Sequence, residues 1–405
     1  MGVRDAVVIG AGSMIGAGVF AAWSPAAGAA GNGLLIGLAI AGLVAFCNAT
    51  SSAQLAAIHP ESGGTYVYGR RQLGSGWGHL AGWGFVVGKT ASCAAMALTV
   101  GAYLWPAQER AVAVAAVVAI TAVNIGGLSR TVAVTRVLLA VSVTALVVVV
   151  AAGWSSADAT LDRLTPVDAG WFDILRSAGF LFFAFAGYAR IATLGEEVRD
   201  PGRTIPRAIP LALGGVLVVY AVVAVTALDT VDAEQLAVTD APLRLVTEAA
   251  TGRLDGVVGV GAGIAALGVL LNLIPGVSRT TLAMARRREL PHWYAHVDPR
   301  RALPIRAELT VAAVVVVLVV VLDLRNAIAV SGVAVLTYYA VTNSAALTLS
   351  REQRRWPRPI AVTGLVGCLV LIVTLPGAAV IAGTGVLVLG VVVRAVTTRR
   401  QRFEP

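Results

Sequence analysis

The 405-residue sequence predicts an all-α polytopic membrane protein of about twelve transmembrane helices. Hydrophobic residues make up 57% of it and charged residues 13%, about half the charged share of an ordinary soluble domain. Uncharged runs of about 20 residues, the length a helix needs to cross the hydrocarbon core, recur along the whole chain. Two of those runs are interrupted by glycine, the first at Gly10-Ala-Gly-Ser-Met-Ile-Gly-Ala-Gly-Val-Phe20.

Divided at charges, prolines and glycines, the runs place spans near 6–27, 33–56, 81–105, 111–128, 132–153, 172–195, 207–228, 256–279, 306–322, 326–349, 359–375 and 377–394. The last two share one uncharged stretch, Pro359 to Val393, split by Pro376-Gly377. Arginine sets the orientation through the positive-inside bias. With the N-terminus inside, alternate connections carry Arg70-Arg71, Arg130, Arg199 with Arg203 and Arg207, Arg286 to Arg288, Arg300-Arg301 and Arg351 to Arg358, and the tail carries Arg399, Arg400 and Arg402. The opposite connections are acidic, with Asp158, Asp162 and Asp168 in one and Asp229, Asp232, Glu234 and Asp240 in another. Both termini are therefore expected in the cytoplasm, in a multi-pass cell-membrane protein. The net charge of +9 reflects this topology and the anionic inner leaflet, so it calls for no nucleic-acid partner.

The first break is the most telling. Gly10, Gly12, Gly16 and Gly18 are each poorer helix formers than alanine by roughly 1 kcal/mol. A helix broken at membrane depth frees N–H and C=O groups, which are tolerated there only when buried in protein or lining a cavity that holds a polar ligand. The second break, Phe180-Leu-Phe-Phe-Ala-Phe-Ala-Gly-Tyr188, falls in the sixth span. Two interrupted helices at corresponding places in two five-helix halves point to an inverted-repeat transporter with its site at the midplane. The expected divisions are a first repeat over 1–153, an extracellular linker over 154–171, a second repeat over 172–349, two appended helices over 359–394 and a cytoplasmic tail over 395–405.

A dinucleotide-binding glycine loop is excluded by its surroundings. That motif needs a βαβ unit and an acidic residue roughly 20 positions on, whereas after Asp5 the next carboxylate is Glu61. Cys47, Cys93 and Cys368 lie in apolar segments without metal-like spacing, so no metal and no cofactor is expected. Arg4-Asp5 directly before the apolar run argues against a cleaved signal peptide.

Four motifs together resemble the amino acid–polyamine–organocation (APC) family of permeases. They are Gly12-Ser-Met-Ile-Gly-Ala-Gly-Val-Phe20, Pro60-Glu-Ser-Gly-Gly-Thr-Tyr-Val-Tyr68, Phe183-Ala-Phe-Ala-Gly-Tyr188 running into Gly195-Glu-Glu-Val-Arg-Asp-Pro-Gly-Arg-Thr-Ile-Pro-Arg207, and Ser278-Arg-Thr-Thr-Leu-Ala-Met-Ala-Arg286 followed by Glu289-Leu-Pro291. The resemblance implies a leucine-transporter-like fold, with discontinuous helices 1 and 6, and movement of amino acids or related amines by proton coupling or exchange. It places substrate contacts on Ile15, Gly16, Ala17 and Gly18 of the first break and on Phe183, Ala184, Phe185 and Gly187 of the second. Glycine at such positions lets a carboxylate reach free backbone N–H groups, and carbonyls at the opposite broken end suit an ammonium. Phe183 and Phe185 would close the pocket against water.

The chain departs from the family pattern at two places. Ala189-Arg190 stands where many members have an acidic residue, and Ser142 falls where many proton-coupled members have a lysine. The single lysine, Lys89, lies in the third span beside thirty arginines. An ionisable group inside a membrane is a functional candidate because its charge is expensive there, so Lys89, Arg190 and Ser142 are the coupling candidates. No carboxylate lies at the middle of any span. A dicationic polyamine would meet only carbonyl dipoles, opposed by Lys89 and Arg190, so a neutral amino acid fits better. The alternatives are a polyamine or organic-amine permease, or a transporter-like amino acid sensor. An intramembrane enzyme is not expected, since no acid, base and nucleophile cluster within the spans. The expected partners are the substrate, protons and membrane lipid; oligomeric state and substrate identity are left open by the sequence.

Overall fold

The computed structural model describes residues 2–16, 18–59, 61, 63–126, 132–156, 169–188, 191, 198 and 200–401. Ala17, Arg130, Asp158, Asp162, Asp168, Ala189, Arg190, Glu196, Glu197, Arg199 and Arg402 lie outside the described residues. Among the described residues every named element is helical. In chain order these are α1 (Val3–Met14), α2 (Gly18–Ala21), α3 (Trp23–Ala30), α4 (Leu34–Ile58), α5 (Thr65–Leu73), α6 (Ser75–Leu104), α7 (Glu109–Ile125), α8 (Val132–Trp154) and α9 (Trp171–Phe185). The second half continues with α10 (Pro201–Thr230), α11 (Ala233–Ala237), α12 (Pro242–Thr251), α13 (Asp255–Arg286), α14 (Ile305–Val321), α15 (Leu324–Leu347), α16 (Arg358–Thr374) and α17 (Gly377–Gln401).

Nine helical stretches among the described residues are long and apolar enough to cross a membrane. The remaining expected spans, the sixth, ninth and eleventh, are the shorter helices α9, α14 and α16. α9 has 15 residues, about 22 Å of rise, because it stops at the second break. Several helices outrun the uncharged stretches that announced them. α6 starts at Ser75 rather than 81, α10 at Pro201 rather than 207, and α13 runs to Arg286 rather than 279. Arginines at a span's end do not stop a helix, since long side chains carry their charge out to the interface.

Burial sorts the helices. α6 and α15 are mostly buried and form the centre, whereas α14, α16 and α17 turn valine and leucine outward. On α16 the exposed residues Val362, Val366, Leu369 and Val373 repeat at helical spacing along one face, as a lipid-facing stripe must. Buried polar side chains bridge the central helices. Thr65 Oγ1 lies 2.7 Å from Thr342 Oγ1, Ser92 Oγ lies 2.7 Å from Ser331 Oγ, and Asn343 donates to Asn48 Oδ1 at 2.6 Å.

One end of the bundle gathers arginine. There α5 is tied to the end of α13 through Glu289, which accepts from Arg70 and, at 2.8 Å, from the Tyr66 hydroxyl. His79 Nδ1 of α6 lies 3.8 Å from the same carboxylate. Burial pushes the Glu289 carboxyl up, but His79, Tyr66 and Arg70 together outweigh it and leave it below its ordinary value. The turn that positions Glu289 closes with two backbone bonds, Glu289 N to Met284 O at 3.0 Å and Arg288 N to Ala285 O at 2.9 Å. This is a Schellman cap, and its left-handed residue is Arg288 at φ 58°.

A side chain in that conformation costs roughly 1 kcal/mol that glycine does not pay. Arg288→Gly is expected to stabilise the protein by about that amount, read as a rise in detergent melting temperature. Arg288→Ala removes the same charge without freeing the backbone and should bring no such rise. Equal behaviour of the two variants would show that charge, not backbone strain, sets the difference.

Candidate functional site

The glycines of the first motif end α1 rather than thinning it. α1 stops at Met14, Ile15 N closes its last turn on Ala11 O at 2.6 Å, and the chain resumes as α2 at Gly18 and α3 at Trp23. In the sixth span α9 ends at Phe185 and tightens into a 3-10 turn over Ala186–Tyr188.

The two breaks meet. A Cβ on Gly187 would lie 2.1 Å from the Ser13 carbonyl oxygen, and one on Gly18 would lie 2.8 Å from the Ala184 Cα. Only a residue without a side chain permits backbones to approach so closely. Gly16 meets a side chain instead, with Val269 Cγ2 of α13 at 2.3 Å from its would-be Cβ. Ile15, Gly16, Gly18, Phe183, Ala184 and Phe185 are all buried, and Gly187 is half-buried. Of the residues expected at the site, Ile15, Gly16, Gly18, Ala184 and Gly187 therefore lie on the two breaks where they cross. Phe185 turns to Tyr220, with ring centroids 5.0 Å apart. Ala17 falls outside the described residues.

The carbonyls released by the breaks are met by side chains from other helices. Tyr220 of α10 places its hydroxyl 2.6 Å from Met14 O and 3.0 Å from Ala184 O, so a single proton serves both broken helices. Tyr103 of α6 donates to Phe20 O at 2.7 Å. Ala186 O accepts from Lys89 Nζ at 3.3 Å and from the Tyr339 hydroxyl at 3.4 Å. The lone lysine of the sequence thus reaches the negative end of the first half of the broken sixth span. Among the described residues this is its one hydrogen bond, and Lys89 is the one charged side chain bonded at the crossing.

Of the other coupling candidates, Ser142 donates to Leu138 O of its own helix at 2.9 Å. Arg190 lies outside the described residues. Two buried donors near the crossing, Trp23 Nε1 and Ser24 Oγ in the first turn of α3, have no hydrogen-bond partner among the described residues. Sequence reasoning missed Tyr220, Tyr103, Tyr339, Trp23 and Val269. Tyr220 carried no local signal, because its bond to Met14 joins residues 206 positions apart. No group of histidine, cysteine or carboxylate residues suited to a metal occurs among the described residues.

Comparison with known proteins places this architecture. The model of the amino acid permease family matches residues 1–395. The chain is 59% identical to an uncharacterized transporter of Mycobacterium tuberculosis, over 99% of this chain and 92% of that protein. It is 24% identical to the branched-chain amino acid permease BcaP of Bacillus subtilis, over 99% and 93%. It is also 27% identical to the chloroplastic cationic amino acid transporter 7 of Arabidopsis thaliana, over 84% and 64%. A family match spanning nearly the whole chain, over a bundle of apolar helices with two crossed breaks, identifies the protein as a multi-pass membrane transporter that belongs to the amino acid permease family.

Proposed function

We propose that this permease carries neutral amino acids across the cell membrane by alternating access, with the substrate held at the crossing of the two broken helices and with both termini in the cytoplasm. The supporting observation is the charge balance of that crossing. Its acceptors are neutral carbonyls, and its one described charge is the cation Lys89. A zwitterion brings one charge of each sign. Its carboxylate suits the glycine-flanked N–H groups near Gly16 and Gly18, and its ammonium suits the carbonyls that tyrosine hydroxyls now occupy. A second positive charge on the substrate would add repulsion from Lys89 with no carboxylate to offset it. The 1–153 and 172–349 halves act as the two repeats of this cycle, with 359–394 appended. The similarity to a branched-chain amino acid permease agrees with an apolar side chain on the substrate.

Lys89 is the proposed proton-exchanging group. Its ammonium sits out of water on one shared carbonyl, and an ionisable group held inside a membrane is costly and therefore a functional candidate. Of the alternatives, an organic-amine permease is disfavoured by the same cation. A sensor would bind without moving its ligand.

Counterflow in proteoliposomes tests the reading. Preloaded leucine is expected to drive entry of labelled leucine or valine, and preloaded arginine or putrescine is not. Binding without counterflow would make the protein a sensor. Gly16→Ala is expected to lower counterflow roughly tenfold, the effect of losing about one good contact. If Gly16 serves ligand approach, adding Val269→Ala relieves the clash without restoring transport. Full recovery in the double variant would reduce Gly16 to a packing residue.

Lys89→Gln should abolish the pH dependence of uptake while leaving part of the exchange activity, which needs no net proton movement. Lys89→Arg should uncouple as well, since a guanidinium does not deprotonate in this range. A wild-type pH profile in both would rule out Lys89 as the coupling group.

Cysteines introduced beside Asp232 are expected to label from outside, and those beside Arg71, Arg287 and Arg355 are not. Cys47, Cys93 and Cys368 are buried, so their background should be low. Outside labelling near Arg287 would reverse the orientation.

A further inference from the structure

A second polar site lies away from the crossing, at the arginine-rich end. A cavity of about 290 Å³ is lined by three arginines and a valine, Val67, Arg70, Arg71 and Arg287. Two of these arginines already have carboxylate partners. Arg70 is paired with Glu289, and Arg71 with Glu61 at 2.9 Å. Arg287 has no carboxylate within ion-pair distance among the described residues. Its guanidinium lies 5.5 Å from the centroid of the Tyr66 ring, and that ring is fixed by its own hydroxyl bond to Glu289. Three positive groups against two negative ones leave one positive charge uncompensated.

The pairings leave donors free. Arg70 and Arg71 are held by their carboxylates, while a guanidinium has five N–H donors and each pair occupies only part of that fork. Arg287 follows the last residue of α13 and is fixed by the Schellman turn through Arg288. Three arginines lining one cavity, with a surplus of one charge among the described residues, match a phosphate monoanion, which accepts several charge-assisted hydrogen bonds at once.

Neighbouring residues give the depth of the cavity in the membrane. Arg70 packs on Gly78, whose would-be Cβ is 2.7 Å from the Arg70 Cβ, and the adjacent Trp77 is half exposed. Trp293, four residues after Glu289, is likewise half exposed, with Arg306 stacked over its ring at 5.4 Å. Exposed tryptophans at helix ends mark the headgroup level of a membrane protein. We propose that the Arg70–Arg71–Arg287 cavity binds one phosphate group, supplied by an anionic phospholipid headgroup of the adjoining leaflet. The identity of that leaflet rests on the orientation proposed above, whereas the site itself does not depend on it.

The test is lipid retention by the full-length protein, released from nanodiscs containing equal mole fractions of phosphatidylglycerol and phosphatidylcholine and read by native mass spectrometry. The wild type should retain phosphatidylglycerol in preference to phosphatidylcholine by roughly tenfold, the effect of about one charge-assisted contact. Arg287→Gln should bring the preference close to parity, and Arg71→Gln should reduce it. Arg253→Gln, at an exposed loop remote from the cavity, should leave it unchanged. Both cavity arginines are surface-exposed, and an unchanged elution profile of each variant confirms an intact fold. Inorganic phosphate added at millimolar concentration separates the two sources of the group. Retention that phosphate does not displace assigns the site to lipid, and displacement assigns it to free phosphate. An unaltered lipid preference in both Arg287→Gln and Arg71→Gln would overturn the proposal. Uptake is not the readout, so a failure of the transport reading leaves this result standing.

Discussion

The structure is organised around a single debt, the backbone groups that two broken helices release in the interior of the bundle. Each such group left without a partner in hydrocarbon costs several kcal/mol, so a break survives only if other elements reach it. Here the partners come from three other helices. Tyr220 arrives from α10, Tyr103 and Lys89 from α6, and Tyr339 from α15. The central position of α6 and α15 follows from this duty. Both are mostly buried because both carry groups that must meet the breaks, and lipid contact is left to α14, α16 and α17.

The form of that repair bears on movement. A tyrosine hydroxyl has one proton, and Tyr220 Oη has two carbonyls within 3.0 Å, one on each broken helix. Small relative displacement of the breaks is enough to pass the proton from one acceptor to the other without leaving Tyr220 unbonded. Contacts with two alternative partners are the kind of two-state element that packed interfaces use to convert small shifts into larger ones. In the proposed cycle the substrate ammonium competes for these acceptors, which couples occupancy of the site to the relative position of the helices. The close approach of Gly18 to Ala184 and of Gly187 to Ser13 keeps the two breaks in register.

Much of the fold was legible in the sequence, because hydropathy and arginine placement report directly on the membrane as a solvent. The broken first span was legible because Gly16 and Gly18 sit close together inside an uncharged run, where they weaken a helix that would otherwise cross unbroken. Lys89 was legible by its rarity. The helix ends were less so, since Arg207 and Arg279 lie within helices that a charge-based division cut short. The tyrosines that repair the breaks were not legible at all. On an apolar face Tyr220 reads as one more aromatic core residue, and only the three-dimensional crossing gives its hydroxyl a partner. Ser142, a coupling candidate by its place in the sequence, donates its hydroxyl to its own helix in this structure. The Glu289 anchor was visible only as part of a motif. Its role as the acceptor for Arg70 and Tyr66 depends on a turn closed by a left-handed arginine, which no residue pattern announces.

Electrostatics ties the two polar regions together through what each leaves uncompensated. At the crossing, one ammonium faces neutral dipoles, and at the arginine-rich end, three guanidiniums face two carboxylates. Among the described residues both have a surplus of one positive charge, but the surroundings differ. Two unit charges about 4 Å apart interact by roughly 4 kcal/mol at an effective dielectric near 20 and by about 1 kcal/mol in water. In the proposed function the surplus at the buried crossing would be felt strongly by a substrate that enters, and would discriminate between substrates by their net charge. The surplus at the exposed end is screened by water and salt, so the proposed phosphate site relies on three arginines lining the same cavity. On these two proposals, the charge buried alone acts as a filter, whereas the charges gathered at the interface act as an anchor.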